Sequence, residues 1–172
     1  MAIVELSEFP ACLPRRGALI GLDLGEKTIG VAACDASWSV ASPVELIRKT
    51  RFTDEALRLF QIMDARKVMG MVVGLPVNMD GTEGKRCQSN RAFARNLLRL
   101  NPDLIIAFWD ERMSSMAINR MLIDEFDTTR ARRADLVDKM AAAWILQGAI
   151  DRLRGIAESP LAKPGNPPIT PL

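Results

Sequence analysis

The sequence predicts an α/β fold built on a mixed five-stranded sheet flanked by helices, and three observations predict it. Residues 18–24 and 29–35 are apolar or alternating runs separated only by Gly25-Glu-Lys-Thr28, the spacing of two antiparallel strands joined by a short turn. Two later apolar runs, Val68–Val73 and Leu104–Trp109, are short and stand between stretches of helical periodicity, as crossovers that lay parallel strands side by side require. Finally, 172 residues with 48% hydrophobic content suit one domain that buries most of its chain around a single core.

The elements follow in order. Residues 1–16 read as a flexible N-terminal arm, because Glu5, Glu8 and Pro10 interrupt its apolar residues. The two strands of the hairpin come next, with a third near Val40 to Ile47. From Thr53, acids in the first turn and apolar residues at Ala56, Leu59, Phe60 and Met63 predict an amphipathic helix. Val68–Val73 is a buried strand, and Gly74-Leu-Pro-Val-Asn-Met-Asp-Gly-Thr-Glu-Gly84 is a loop dense in turn residues. A helix over 85–100, the strand Leu104–Trp109, and helices over 114–123 and 135–153 complete a domain spanning 17–155. Residues 156–172 form a proline-rich tail with five prolines between Ser159 and Leu172, a composition that favours disorder.

Composition removes several classes of chemistry. The chain has no histidine, which excludes serine–histidine and cysteine–histidine hydrolases and imidazole metal ligands together. Cys12, Cys34 and Cys87 are odd in number and widely spaced, so neither a disulfide framework nor a zinc knuckle is expected, and a reducing cytoplasm fits. The N-terminus lacks the basic start of a signal peptide, and no apolar run reaches the roughly 18 residues of a membrane span. A net charge of +2 makes any affinity for polyanions a matter of where charge is placed.

Three acidic positions stand out. Asp23 lies inside an apolar run with a glycine two positions to either side, a costly place for a carboxylate unless a cation or strong donor meets it. Asp110-Glu111 ends the run Leu104–Trp109, and Asp138 opens the stretch Asp138-Lys-Met-Ala-Ala-Ala-Trp-Ile-Leu146 on one helical face with Ala141, Ala142, Ile145 and Ala149. Singly, each reads equally well as a cap, a surface ion pair or a first-turn helix acid. Together they read as a site for Mg²⁺ or Mn²⁺, which bind oxygen ligands and activate water without histidine. Periodicity leaves Asp110 and Glu111 as alternatives, since adjacent strand positions face opposite sides. The helix over 85–100 adds Lys85, Arg86, Arg91, Arg95 and Arg99 with no acid among them, the last three on one face away from Cys87, Ala94, Leu97 and Leu98. Arg130, Arg132 and Arg133 form a second basic cluster just ahead of Asp138.

In their order and combination, Gly21-Leu-Asp-Leu-Gly25 with Ile29-Gly-Val-Ala32, Val73-Gly-Leu-Pro with Asn78-Met-Asp-Gly81, Asp110-Glu-Arg-Met-Ser114, and Asp138 ahead of its alanines resemble the YqgF/RuvX family. That family is described as Holliday-junction-resolvase-like and as nucleases for the precursor of small-subunit ribosomal RNA. The resemblance covers roughly residues 17–153 and implies a ribonuclease-H-like fold and a metal-dependent nuclease. By motif, Asp23, Glu111 and Asp138 take the acidic-triad role, with Asp110 as an alternative or outer acid. Lys27 and Arg112, beside the acids in the chain, join the expected nucleic-acid contacts. The implied partners are structured RNA and pre-ribosomal particles, with branched DNA or RNA binding without cleavage as alternatives. The segment Asp23-Leu-Gly-Glu-Lys-Thr28 is also similar to the first phosphate loop of actin-like and sugar-kinase ATPases, but no second such loop is present.

Overall fold

In the computed structural model, which describes residues 2–113 and 130–157, the strands are β1 (Ala2–Val4), β2 (Ala18–Leu24), β3 (Thr28–Cys34), β4 (Ser42–Arg48), β5 (Val68–Leu75) and β6 (Ile105–Asp110). The helices are α1 (Phe9–Cys12), α2 (Phe52–Arg66), α3 (Lys85–Leu100) and α4 (Arg130–Ala157), with a 3-10 turn over Glu111–Met113. The strands form one mixed sheet in the order β1-β6-β5-β2-β3-β4. The pairs β2–β3 and β3–β4 are antiparallel, whereas β2–β5, β5–β6 and β1–β6 are parallel. The expected helix over 114–123 and the tail beyond residue 157 lie outside the described residues.

Alternation along the inner strands assigns a core to each face. Ile20, Leu22 and Leu24 of β2, Met71 and Val73 of β5, and Ile106 of β6 pack beneath α2 and α3 with Leu59, Ala94 and Leu97. Phe52 and Phe93 join these two helices through an edge-on ring contact with centroids 5.4 Å apart. On the opposite face, Leu19, Val72, Ala107 and Trp109 meet Ala142, Ile145, Leu146 and Ile150 of α4, which packs across β2, β3 and β4. The small residues Ala141, Ala142 and Ala149, all buried, let α4 lie close to the sheet.

Two expectations are corrected. The sheet has six strands rather than five, and residues 2–12 are part of the domain rather than a flexible arm. Ala2, Ile3 and Val4 pair with Ile105, Ile106 and Ala107, so the first strand extends the parallel half of the sheet. Phe9 is 0% exposed and inserts where Gly70 leaves room, since a Cβ there would stand 2.5 Å from Phe9 Cζ. The hydrophobic driving force on one large ring outweighs the charged residues around it in the chain.

If the N-terminal segment is integral, Phe9→Ala lowers unfolding free energy by about 3–5 kcal/mol, the cost of truncating a buried aromatic ring. Urea denaturation measures this, and a loss below about 1 kcal/mol would return residues 2–12 to the status of a loose arm.

Candidate active site

Asp23 is the penultimate residue of β2, opposite Gly30 in the antiparallel pair with β3. On its other side the parallel register sets Leu22 beside Val73, so Gly74 follows on β5 at the level of Asp23. Leu19 and Gly21 face α4, and alternation turns Asp23 to the same side. The two flanking glycines mark what surrounds it. The point a side chain at Gly30 would occupy is 3.0 Å from the Asp138 carbonyl oxygen, 3.4 Å from Ala142 Cβ and 3.5 Å from Asp23 Cβ. The corresponding point at Gly74 is 2.8 Å from Glu111 Oε1 and 2.6 Å from Ile145 Cδ1. Residues from β2, the 3-10 turn and α4 therefore converge over two positions without side chains.

The topology separates Asp110 from Glu111. Trp109 belongs to the α4 side of the sheet, Asp110 turns to the other, and Glu111 returns to the side of Asp23. Asp110 is occupied by Arg112, whose backbone N–H donates to Oδ1 at 2.9 Å while Nε and Nη2 reach the carboxylate at 3.1 and 2.7 Å. Those side-chain hydrogen bonds hold the Asp110 carboxyl below its usual range, so the pair persists at neutral pH and is lost only in acid. Arg112 Nη1 also donates to the Met79 carbonyl at 3.5 Å, tying the turn to the loop after β5. That loop closes on itself through Asp80 Oδ1, which accepts from the Thr82 N–H at 2.9 Å and hydroxyl at 2.6 Å. Buried Asn90 donates to the Gly74 carbonyl at 2.8 Å and fixes the loop's start to α3.

Asp138 is exposed, one turn ahead of the buried face formed by Ala141, Ala142 and Ile145, and its backbone carbonyl approaches the sheet at Gly30. Among the described residues no three acids or cysteines gather closely enough to form a ready-made ligand set. The donor chemistry nevertheless suits a hard cation, since Asp23, Glu111 and Asp138 offer only carboxylate oxygens. The absence of a side chain at Gly74 leaves the Glu111 carboxylate the place it occupies, since a Cβ there would stand 2.8 Å from Oε1, and Gly30 likewise admits the Asp138 carbonyl at 3.0 Å.

The basic residues divide into two groups. On α3, Arg95 and Arg99 are exposed, as the helical spacing predicts, but Arg91 is half-buried. It forms a two-pronged ion pair with Glu83 at 2.8 and 2.6 Å and lies over the Phe108 ring at 4.8 Å. Arg132 is exposed on α4, and the side chains of Arg130 and Arg133 lie outside what is described. The second group surrounds a cleft of about 970 Å³ between the β2–β3 turn, the end of β4 and α4, lined by Lys27, Arg48, Lys49, Arg86, Asp138 and Lys139 among others. Lys27 and Arg86 were expected to contact nucleic acid, whereas Arg48, Lys49 and Lys139 escaped sequence reasoning. The signal that would have found the first two is the run Arg48-Lys49-Thr50-Arg51 at the end of a strand paired with the Asp23 hairpin.

Comparison with known proteins agrees with this architecture. The model of a family described as RuvX, Holliday junction resolvase, matches residues 17–152. A protein of Phenylobacterium zucineum, named "Putative pre-16S rRNA nuclease", is 70% identical over 156 residues, covering 91% of this chain and 100% of that one. A Rhodospirillum centenum protein of the same name is 60% identical, covering 90% of this chain and 84% of that one. Among solved structures, T. thermophilus RuvC in complex with a Holliday junction substrate superposes with a TM-score of 0.51 at 10% identity, covering 81% of this chain and 97% of that one. The likeness supports the ribonuclease-H-like fold. With its family motif matched across the domain and relatives of this identity along nearly its whole length, the chain belongs to the RuvX family.

Proposed function

We propose that the protein is a divalent-metal-dependent nuclease that hydrolyses phosphodiester bonds in precursor 16S ribosomal RNA, acting at the maturing 5′ end, with Asp23, Glu111 and Asp138 as its acidic site. The observation that carries this reading is the common face of Asp23, near the end of β2, and Glu111, just past the end of β6, the two strands that flank β5 and run parallel to it, with α4 brought against Gly30 at Asp138. Carboxylates collected on one face repel each other unless cations neutralise them. Mg²⁺ or Mn²⁺ bound there would supply an activated water and stabilise the charge that develops on the phosphate. Asp23 near the end of β2 and Glu111 in the turn after β6 would hold the ions, and Asp138 would add an oxygen from the helix. Arg112 acts differently, since it is committed to Asp110 and the Met79 carbonyl and positions the loop and the turn that carries Glu111.

The substrate assignment takes its support from the names of the relatives at 60–70% identity, which designate precursor 16S rRNA. Pre-ribosomal particles in the cytoplasm are the partners that such a function requires. Cleavage assays on precursor 16S rRNA and on four-way junction DNA, with Mg²⁺ or Mn²⁺, test it. Metal-dependent cutting of the RNA is the expected result; cutting of the junction alone would make the protein a DNA resolvase, and binding without cutting would make it an assembly factor.

Asp23→Asn removes charge with almost no change of shape and lowers the cleavage rate by roughly 10²–10³-fold, the range for losing one electrostatic stabiliser, with the thermal midpoint retained. A wild-type rate in the purified variant would contradict the site. Within the adjacent pair, Glu111→Gln costs a similar factor. Asp110→Asn stays within about tenfold of wild type, or about 1.4 kcal/mol of barrier, because it only releases Arg112. Single-turnover rates decide between them: the reverse order would show that Asp110 carries the role assigned to Glu111.

A further inference from the structure

The cleft beside Asp138 has a composition that the acidic site does not explain. Lys27 comes from the β2–β3 turn, Arg48 and Lys49 from the end of β4, Arg86 from the first turn of α3 and Lys139 from α4. The antiparallel ladder brings the first three together: Thr28 pairs with Arg48, and the Lys49 N–H donates to the Lys27 carbonyl at 2.9 Å. All five cations are exposed, and none enters an ion pair with a described residue. Three arginines elsewhere are held by acids, Arg58 by Glu45, Arg91 by Glu83 and Arg112 by Asp110. Five uncompensated cations face two acids, Glu26 and Asp138, and Asp138 belongs to the proposed acidic site. Like charges held around one concavity without partners raise the local potential and attract an extended polyanion.

We propose that this cleft receives a single-stranded segment of the substrate, with Arg48, Lys49 and Lys139 contacting its phosphates, and that it holds the strand by charge rather than by reading bases. The place of this strand in catalysis rests on the nuclease reading above. The volume of about 970 Å³ is near the top of the range for pockets that enclose small organic ligands, room for a few nucleotides of one strand. Among the described residues no aromatic ring of the kind on which single-strand binders stack bases lines the cleft. Among the described residues neither asparagine nor glutamine, the usual bidentate readers of adenine, lines it. Phosphate contacts of this kind position a strand without reporting its sequence. Arg91 of α3 is not available in the same way, because it is already paired with Glu83.

The test is equilibrium binding of the full chain in EDTA, which separates binding from cleavage, with fluorescent oligouridine, oligoadenine and duplex RNA of equal length, titrated at several salt concentrations. For a single strand each phosphate contact contributes about 0.7 to the slope of log affinity against log salt, so the triple variant Arg48→Gln, Lys49→Gln, Lys139→Gln reduces that slope by about 2. The loss is equal for the two homopolymers, wild type prefers either to the duplex, and Arg95→Gln with Arg99→Gln changes the slope by less than half as much. Since all three residues are exposed, the thermal midpoint is retained; Lys139→Gln alone, with a reduction of about 0.7, repeats the test with the least disturbance. An unaltered slope in the triple variant, or duplex bound as tightly as single strand, overturns the proposal even where the wild type cleaves RNA. A reduced slope in a protein that cleaves nothing keeps the cleft as a single-strand site while the nuclease reading fails.

Discussion

The carboxylate of Asp23 near the end of β2 is the constraint around which much of the molecule is arranged. Its strand is an inner one, covered on one face by α2 and α3 and on the other by α4, so the acid stands at the margin of two hydrophobic cores. A charge there is tolerable only with strong partners or a cation nearby. The sheet provides the space by placing glycine on both sides, Gly30 on β3 and Gly74 on β5, and the alanine face of α4 then brings a helix to within contact of the same spot. Adding a methyl group at either glycine would displace the Asp138 backbone or the Glu111 carboxylate, so the acids and the glycines form one structural unit.

Electrostatics divides the rest of the surface by function. Where arginine serves geometry it is paired: Arg112 locks Asp110 and the loop carbonyl of Met79, and Arg91 covers Phe108 while bound to Glu83. Exposed pairs of this kind contribute little to stability, at most about 1 kcal/mol each, but they remove those cations from competition for a polyanion. Five exposed cations that enter no ion pair with a described residue stand together around the cleft at the β2–β3 turn and α4. The acids and the cleft thus share Asp138, which is the arrangement expected of a site that both draws in a polyanion and acts on it.

Much of this was legible in the sequence, and what was not has identifiable physical causes. The hairpin turn at Gly25–Thr28 and the limits of α3 could be read from local signals because both elements are set by residues close in the chain. The strand Ala2–Val4 could not, being three residues long and paired with a partner a hundred residues away. The choice between Asp110 and Glu111 had to wait for the register, since only the packing of Trp109 against α4 says which face each neighbour takes. The basic stripe on α3 contains no acid within the helix, so its spacing carries no sign that Arg91 pairs with Glu83 in the preceding loop. Arg48, Lys49 and Lys139 are remote from one another or from the motifs in sequence, and only the β3–β4 pairing and the approach of α4 bring them together.

The central claim is that Asp23 and Glu111 share one divalent-cation site and that Asp110 does not belong to it. Titration of the full chain with Mn²⁺, followed by the electron-spin resonance of the free ion, tests this without reference to any substrate. Wild type and Asp110→Asn should withdraw Mn²⁺ from solution with similar affinity, while Asp23→Asn and Glu111→Gln should each weaken binding by at least about tenfold, or about 1.4 kcal/mol. Undiminished Mn²⁺ binding by Asp23→Asn would contradict the account.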